Sequence, residues 1–363
     1  MTKLIHTADV HLREYQDYRW QALEEILNTA KLKQADLLTI SGDLFDQDSA
    51  SQQLREKVRA LFSKYDLQIV ILPGNHDVNS YNSGEYYGEN VHTIINANEQ
   101  NQKLFSFKDI SIAGIPFAQI TKEQLINKIQ GINQSFEDNQ TNILLIHGEL
   151  TDLFFDSYDF GNEGDKRYLP FSLNLFANSK IDYVLAGHFH TKFHLKKISN
   201  TRLKNGGFFI YPGSPASITT RETGLRSVAL IQPNHSPEQI AIDSHYYLPI
   251  EISLQPEDDN KIVFEIEDKL KKLPKNCDAI LNIGGFFNKE KLGFSETELF
   301  QKIKSISDNH KAIFSDESFT AKEIGSVFSS SLYQEISTRI DQEELDSDTK
   351  KVLSEELINA LTT

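Results

Sequence analysis

Apolar runs in this chain stop repeatedly on one kind of turn. Asp36–Ser41 runs into Gly42-Asp43-Leu44-Phe45-Asp46, and Gln68–Leu72 runs into Pro73-Gly74-Asn75-His76-Asp77. A short aliphatic run bounded by glycine reads as a buried strand. A carboxylate, or Asn-His-Asp, placed at once after it lies at the carboxyl edge of a sheet, where open α/β folds keep their sites. Between the two runs lies a helical period (Leu54, Val58, Leu61, Phe62), with Ser49 expected as its cap. Two such breaks joined by a helix restrict the chain to α/β folds that gather polar side chains along one edge.

The same grammar extends to both sides. Lys3–Thr7 is a first strand ending on Asp9-Val10-His11, and Arg19–Lys33 carries Trp20, Leu23, Ile26, Leu27 and Ala30 at helical spacing. Asn142–Ile146 delivers His147, and Asp182–Ala186 delivers Gly187-His188-Phe189-His190. Asp9, His11, Asp43, Asn75, His147, His188 and His190 are therefore candidate metal ligands. Asp9-x-His11 and His188-x-His190 each place two side chains on one side of an extended segment. Imidazole, carboxylate and amide donors without thiolate suit manganese, iron or zinc. Two metals sharing a carboxylate, for which Asp43 is the natural bridge, clamp a phosphate and activate water.

The remaining chain supplies layout. Residues 78–92 have loop composition, short strands are expected at Leu104–Phe107 and Ile110–Ala113, and a helix at Lys122–Ile129. Residues 149–178 form a long excursion with a short helix near Ser172–Ala177. Short β-runs follow at Phe193–Ile198, Gly207–Tyr211, Ser227–Ile231 and Gln239–Ser244. A boundary falls near Pro249. Beyond it a helix (Lys261–Leu273), a strand (Asp278–Ile283), a helix (Glu296–Ile306) and a strand (Lys311–Phe314) make a small α+β domain. A polar linker and helices ending with Val352, Leu353, Leu357, Ile358 and Leu361 close the chain. The expected division is 1–248, 249–316 and 317–363.

A single cysteine, Cys277, excludes an internal disulfide and any cysteine-based zinc cluster. With no apolar run near the ~20 residues that span a bilayer and no signal-peptide h-region, a cytoplasmic protein without membrane contact is expected. The net charge of −15 argues against holding nucleic acid by bulk electrostatics.

Taken in order, Asp9-x-His11, Gly42-Asp43-x-x-Asp46, Gly74-Asn75-His76-Asp77, His147 and Gly187-His188-x-His190 resemble the calcineurin-like metallophosphoesterases over roughly residues 1–245. The resemblance implies a four-layer α/β-β/α sandwich of two mixed sheets with two metals at its edge. It assigns Asp9, His11 and His190 to one metal, Asn75, His147 and His188 to the other, and Asp43 to both. It makes His76 a catalytic group facing the scissile phosphate, with Asp77 orienting its ring.

Ile5–Leu12, Gly42–Asp46 and Tyr211-Pro212-Gly213-Ser214-Pro215 followed by Glu222-Thr223-Gly224 are similar, within that superfamily, to the nuclease subunits of SbcCD type. That resemblance implies a manganese-dependent DNA exonuclease and endonuclease acting as a dimer, with a DNA-capping α+β domain and a coiled-coil ATPase partner of SbcC type. The rival reading keeps the chemistry and changes the substrate to a small phosphodiester, a nucleotide or a phosphoprotein.

Other residues read more simply. His6, His92, His194, His235, His245 and His310 are expected as core or capping residues, Asp46 as a turn former and Cys277 as a small buried hydrophobe. Tyr81, Tyr86 and Tyr87 pin a loop by packing in preference to stacking a base. Lys192, Lys196, Lys197, Arg202 and Lys204 form a basic run with no acid among them, open equally to phosphate contact and to a solvated hairpin.

Overall fold

The computed structural model describes residues 2–82, 85–95, 104–152, 169–200, 202, 206–325 and 330–362. Most of the expected excursion (153–168) and Lys204 lie outside the described residues. The chain divides into two compact units, Met1–Tyr247 and Leu248–Thr363.

In the first unit, one sheet contains β1 (Leu4–Thr7), β2 (Leu37–Ser41), β3 (Gln68–Leu72), β4 (Val91–Thr93), and, from later in the chain, Ser227–Ile231 and Glu238–Ala241. The second sheet contains β5 (Phe105–Phe107), β6 (Ile110–Ile115), β7 (Thr141–His147), β8 (Tyr183–Gly187), β9 (His194–Ile198) and β10 (Gly207–Tyr211). With the two later strands labelled β11 and β12, the orders are β12-β11-β1-β2-β3-β4 and β5-β6-β7-β8-β10-β9. Neighbours β1 to β4 are parallel, as are β6, β7, β8 and β10, while β11, β12, β5 and β9 pair antiparallel. Both sheets are mixed.

Strand alternation builds the layers. Ile5, Leu38, Ile40, Ile69 and Ile71 face α1 (Tyr18–Leu32) and α2 (Asp48–Phe62), meeting Trp20, Leu23, Ile26, Val58 and Phe62. Their neighbours Leu4, Leu37, Val70 and Leu72 turn the other way, onto Ile112, Ile143, Leu145, Tyr183 and Leu185 of the second sheet. Leu144, Ile146, Val184 and Phe209 then meet Leu125, Ile129 and Ile132 of α3 (Lys122–Ser135). Helix, sheet, sheet and helix stack as four layers. Each fully buried aliphatic side chain contributes roughly 1.5–3 kcal/mol, and strands buried on both faces explain the unbroken apolar runs.

Three local expectations differ. Helix α2 begins at Asp48, with Gln47 as N-cap, so Ser49 lies in its first turn. Asp48 suits the positive helix end and accepts bonds from Asn79 Nδ2 (2.9 Å) and Ser80 Oγ (2.8 Å). The expected loop 78–92 ends in β4, held to β3 partly by His92 Nε2 and Gln68 Oε1 at 2.9 Å. Residues 311–314 make only an isolated bridge at Ile313.

In the second unit, residues 248–254 of β13 (Tyr246–Leu254) form a sheet with β14 (Cys277–Phe287) and β15 (Lys322–Glu323). Helices α4 (Lys261–Lys271), α5 (Lys289–Leu292) and α6 (Glu296–Asn309) share with it a core around Leu254, Leu281, Ile283, Leu299 and Ile303. Ser295 and Glu298 close a capping box on α6. Cys277 is buried. Helices α7 (Ser331–Gln342) and α8 (Ser347–Thr362) bring Tyr333 and Ile358 together with Ile324, while Val352 and Leu353 stay exposed. Among the described residues, no helix is long and apolar enough to cross a membrane.

His6, on β1, is a core residue as expected, its Nδ1 3.1 Å from Thr39 Oγ1. Burial lowers its pKa from 6.5 to about 3. The neutral ring is thus the folded form, and its contribution is complete above pH 6.5 and lost as pH falls toward 3. Between pH 6.5 and 5 the wild type should lose about 2 kcal/mol more stability than His6→Gln. Urea denaturation at the two pH values checks this; equal losses would refute it.

Candidate metal centre

All seven candidate ligands stand at the carboxyl ends of parallel strands β1, β2, β3, β7 and β8, His147 as the last residue of β7 and the others just beyond their strands. Four of them hold backbone conformations that L-residues rarely adopt: Asp9 (φ 55°), His11 (φ 51°), Asp43 (φ 51°) and His188 (φ 100°). Each costs of order 1–3 kcal/mol and persists only when its surroundings over-determine it. The turns lock one another. Asp9 N–H donates to Gly42 O (3.1 Å), His11 N–H to Asp43 O (2.9 Å), and His188 N–H to the Asp9 carboxylate (3.0 Å). His76 N–H donates to Asp43 Oδ1 at 2.9 Å. At Gly42 (φ +95°) a side chain would run into the His147 imidazole, and at Gly74 into the Asp43 carboxylate.

The side chains converge in overlapping groups, two of which involve only the candidate ligands. Asp9, His11 and His190 offer ligand atoms within 4.8 Å of one another, and so do Asp9, Asp43 and His147. In the first group the Nε2 atoms of His11 and His190 lie 3.3 Å apart. In the second, His147 Nε2 is 2.9 Å from Asn75 Oδ1 and 3.2 Å from Asp43 Oδ2. The His188 ring lies beside His147, centroids 5.4 Å apart. Asp43 reaches both groups, its Oδ2 lying 3.8 Å from His11 Nε2.

These spacings fit divalent cations. Two donors each about 2.1 Å from one ion and a right angle apart lie roughly 3 Å from each other. Two imidazole nitrogens face to face at 3.3 Å are also close enough to share one cation. The donor set is carboxylate, imidazole and amide, which suits divalent cations.

The electrostatics agree. Burial alone would raise the Asp43 pKa, but His147, His11 and His76 overcome it and hold the carboxylate ionised, well below its usual range. Burial likewise opposes a charged His147, and Asp43 with Asp9 reverses this, raising it to about 10. Asp9 is pushed up by burial, against the attraction of His190 and His147. Burial and the histidines around it hold His188 well below the usual imidazole value.

The supporting residues are those that sequence reasoning missed or placed differently. Asp46 is more than a turn former: its Oδ1 accepts from Arg19 Nη1 (2.9 Å) and lies 3.5 Å from His11 Nδ1. The ring of His76 is held by the Asp46 backbone carbonyl, 2.9 Å from Nδ1. Asp77, expected to orient that ring, directs its oxygens to Gly74 N–H (2.9 Å), Phe45 N–H (3.2 Å) and Tyr81 O–H (2.8 Å). It joins the two turns, and burial with the Asp43 charge raises its pKa to about 7. Tyr81 and Tyr87 are buried, as packing residues should be, whereas Tyr86 is exposed beside Arg59. Arg202 has acids after all, Asp138 (2.7 Å) and Asp182 (3.2 Å), both distant in sequence. Glu222 and Arg226, fully and almost fully buried, close over His190; their only signal was the Glu222-Thr223-Gly224 run, to which no role attached.

The model of the family described as calcineurin-like phosphoesterase matches residues 2–192. The chain belongs to this family, whose members are metal-dependent phosphoesterases, and its paired Asp and His clusters are of the kind that hold divalent metals. It is similar to the SbcD component of the nuclease SbcCD from Staphylococcus saprophyticus, with 25% identity over 256 residues, or 61% of this chain and 62% of that protein. This chain therefore aligns with less than two thirds of that relative's length. Among solved structures, a dimetal phosphatase from Danio rerio is 10% identical with a TM-score of 0.45, covering 67% of this chain and 99% of that one. TT1561 of Thermus thermophilus is 13% identical with a TM-score of 0.40, covering 62% and 93%. Neither is near enough to bear on substrate.

Proposed function

We propose that this chain hydrolyses DNA phosphodiester bonds as a manganese-dependent exonuclease and endonuclease, the nuclease subunit of an SbcCD-type complex. The observation that carries the choice of DNA is the similarity to the staphylococcal SbcD component. In this reading Asp9, His11 and His190 hold one ion, Asn75, His147 and His188 the other, and Asp43 both. When bound, such a pair supplies Lewis-acid charge to phosphoryl oxygens and lowers the pKa of water. The chain's own share is placement and electrostatics. Asn75 and His76 are the half-exposed members of the site, so the substrate approaches from their side. With Nδ1 engaged by the Asp46 carbonyl, His76 meets the substrate through Nε2, where a proton can pass to the leaving oxygen.

Residues 1–248 then form the nuclease domain and 249–316 a DNA-capping domain, while 317–363 engage an SbcC-type coiled-coil ATPase. The working state is a cytoplasmic homodimer. Hydrolysis of a small phosphodiester, nucleotide or phosphoprotein is the second reading, favoured by the net charge of −15.

Lys196 and Lys197, exposed on β9 a few residues beyond His190, separate the two. As phosphate contacts they position a strand without reading sequence. Replacing both by Glu should weaken duplex binding and reduce the slope of log affinity against log salt by about 2. Fluorescence anisotropy over a salt series reads this; an unchanged slope would exclude these lysines as DNA contacts.

A further inference from the structure

The two histidines of the Asp9–His11–His190 group are supported in matching ways. Behind His11, Asp46 Oδ1 lies 3.5 Å from Nδ1, and Arg19 Nη1 donates to the His11 carbonyl at 2.8 Å. Behind His190, Glu222 Oε1 lies 3.6 Å from Nδ1, and Arg226 Nη2 donates to the His190 carbonyl. Each imidazole therefore has a carboxylate facing its far nitrogen, at the outer limit of hydrogen-bond length, and an arginine on its backbone. His147 differs in its closest Nδ1 partner, the neutral Ser41 carbonyl at 2.9 Å, with the Asp9 carboxylate farther off at 3.9 Å. Glu222 is itself fixed, accepting from Ser214 Oγ (2.6 Å), Ile218 N–H (2.9 Å) and Thr219 N–H (3.2 Å). Both Glu222 and Arg226 lie beyond residues 2–192, the stretch that carries the family match.

We infer that Glu222 is a positioning residue of the metal centre: it holds His190 with Nδ1 protonated and Nε2 turned toward Asp9 and His11, so that one of the two metal sites depends on it. The inference rests on the two-metal reading above. A carboxylate on the outer nitrogen of a ligating histidine fixes tautomer and ring angle and raises donor strength; its loss commonly lowers metal affinity 10–100-fold. The Ser41-backed His147 site is reached by no Glu222 contact among those described, so the effect should be confined to one site.

The test is calorimetric titration of manganese into the full metal-free chain and its Glu222→Gln variant. The wild type should show two binding events. In the variant one should weaken about 10–100-fold and the other stay unchanged, with the thermal melt of the metal-free protein preserved. Nitrogen-15 NMR of the metal-free wild type supplies a readout that needs no variant: His190 should carry its proton on Nδ1. Two wild-type events, both unaltered or both equally weakened in the variant, would overturn the role of Glu222 alone, as would an Nε2–H tautomer. Fewer than two events in the wild type would overturn the two-metal reading beneath it.

Discussion

Asp43→Asn should reduce phosphodiester hydrolysis at least about 10³-fold, equivalent to roughly 4 kcal/mol of transition-state stabilisation, while leaving the fold intact. Asp43 is fully buried, and its carboxylate lies within reach of His147, His11 and the His76 backbone. The change conserves shape, and the amide oxygen can still accept the His76 N–H. What disappears is a buried negative charge, replaced on one side by an N–H₂ donor beside imidazole nitrogens. Manganese bound per chain should fall with activity, and circular dichroism should not change. A variant that keeps both ions and full turnover would remove Asp43 from the centre.

His76→Ala should lower turnover by about 10²–10⁴-fold, the range of a positioned proton donor or charge stabiliser, without loss of bound metal. The point is open to measurement because Asp43, His11 and His76 also bring ligand atoms within 4.8 Å of one another, and the His11 and His76 rings stand edge to face at 4.7 Å. Half-exposure and the Nδ1 bond to Asp46 favour a ring that faces substrate. Manganese titration beside steady-state rates decides: unchanged metal with slow turnover supports the catalytic role, and metal lost in step with rate makes His76 a ligand.

The layers and the gathering of ligands were legible because both follow from local pattern. Ile5, Leu38 and Ile143 lie in buried strand runs, and Asp9, Asp43 and His147 stand at or just past their carboxyl ends. Parallel pairing brings such ends to one edge whatever the loops do. The supporting residues were not legible, because their partners are set by tertiary approach. Nothing local ties Glu222 to His190, Arg202 to Asp138 or Asp77 to Phe45. Asp46 misled for a related reason: an Asp at the end of Gly-Asp-Leu-Phe-Asp has turn chemistry, and only the packing of α1 brings Arg19 onto it. The short β4 pairs through a loop-like sequence because β3 offers it an edge.

Metal-dependent action on DNA is tested by supplying manganese to the full chain with end-labelled duplex DNA and, in parallel, a small aryl phosphodiester. Both reactions are run with and without a coiled-coil ATPase of SbcC type. The prediction is cleavage of the duplex that requires the metal, increases with the ATPase and is lost in Asp43→Asn. Metal-dependent hydrolysis of the small diester with intact duplex under every condition would contradict action on DNA and leave a phosphoesterase of smaller substrates.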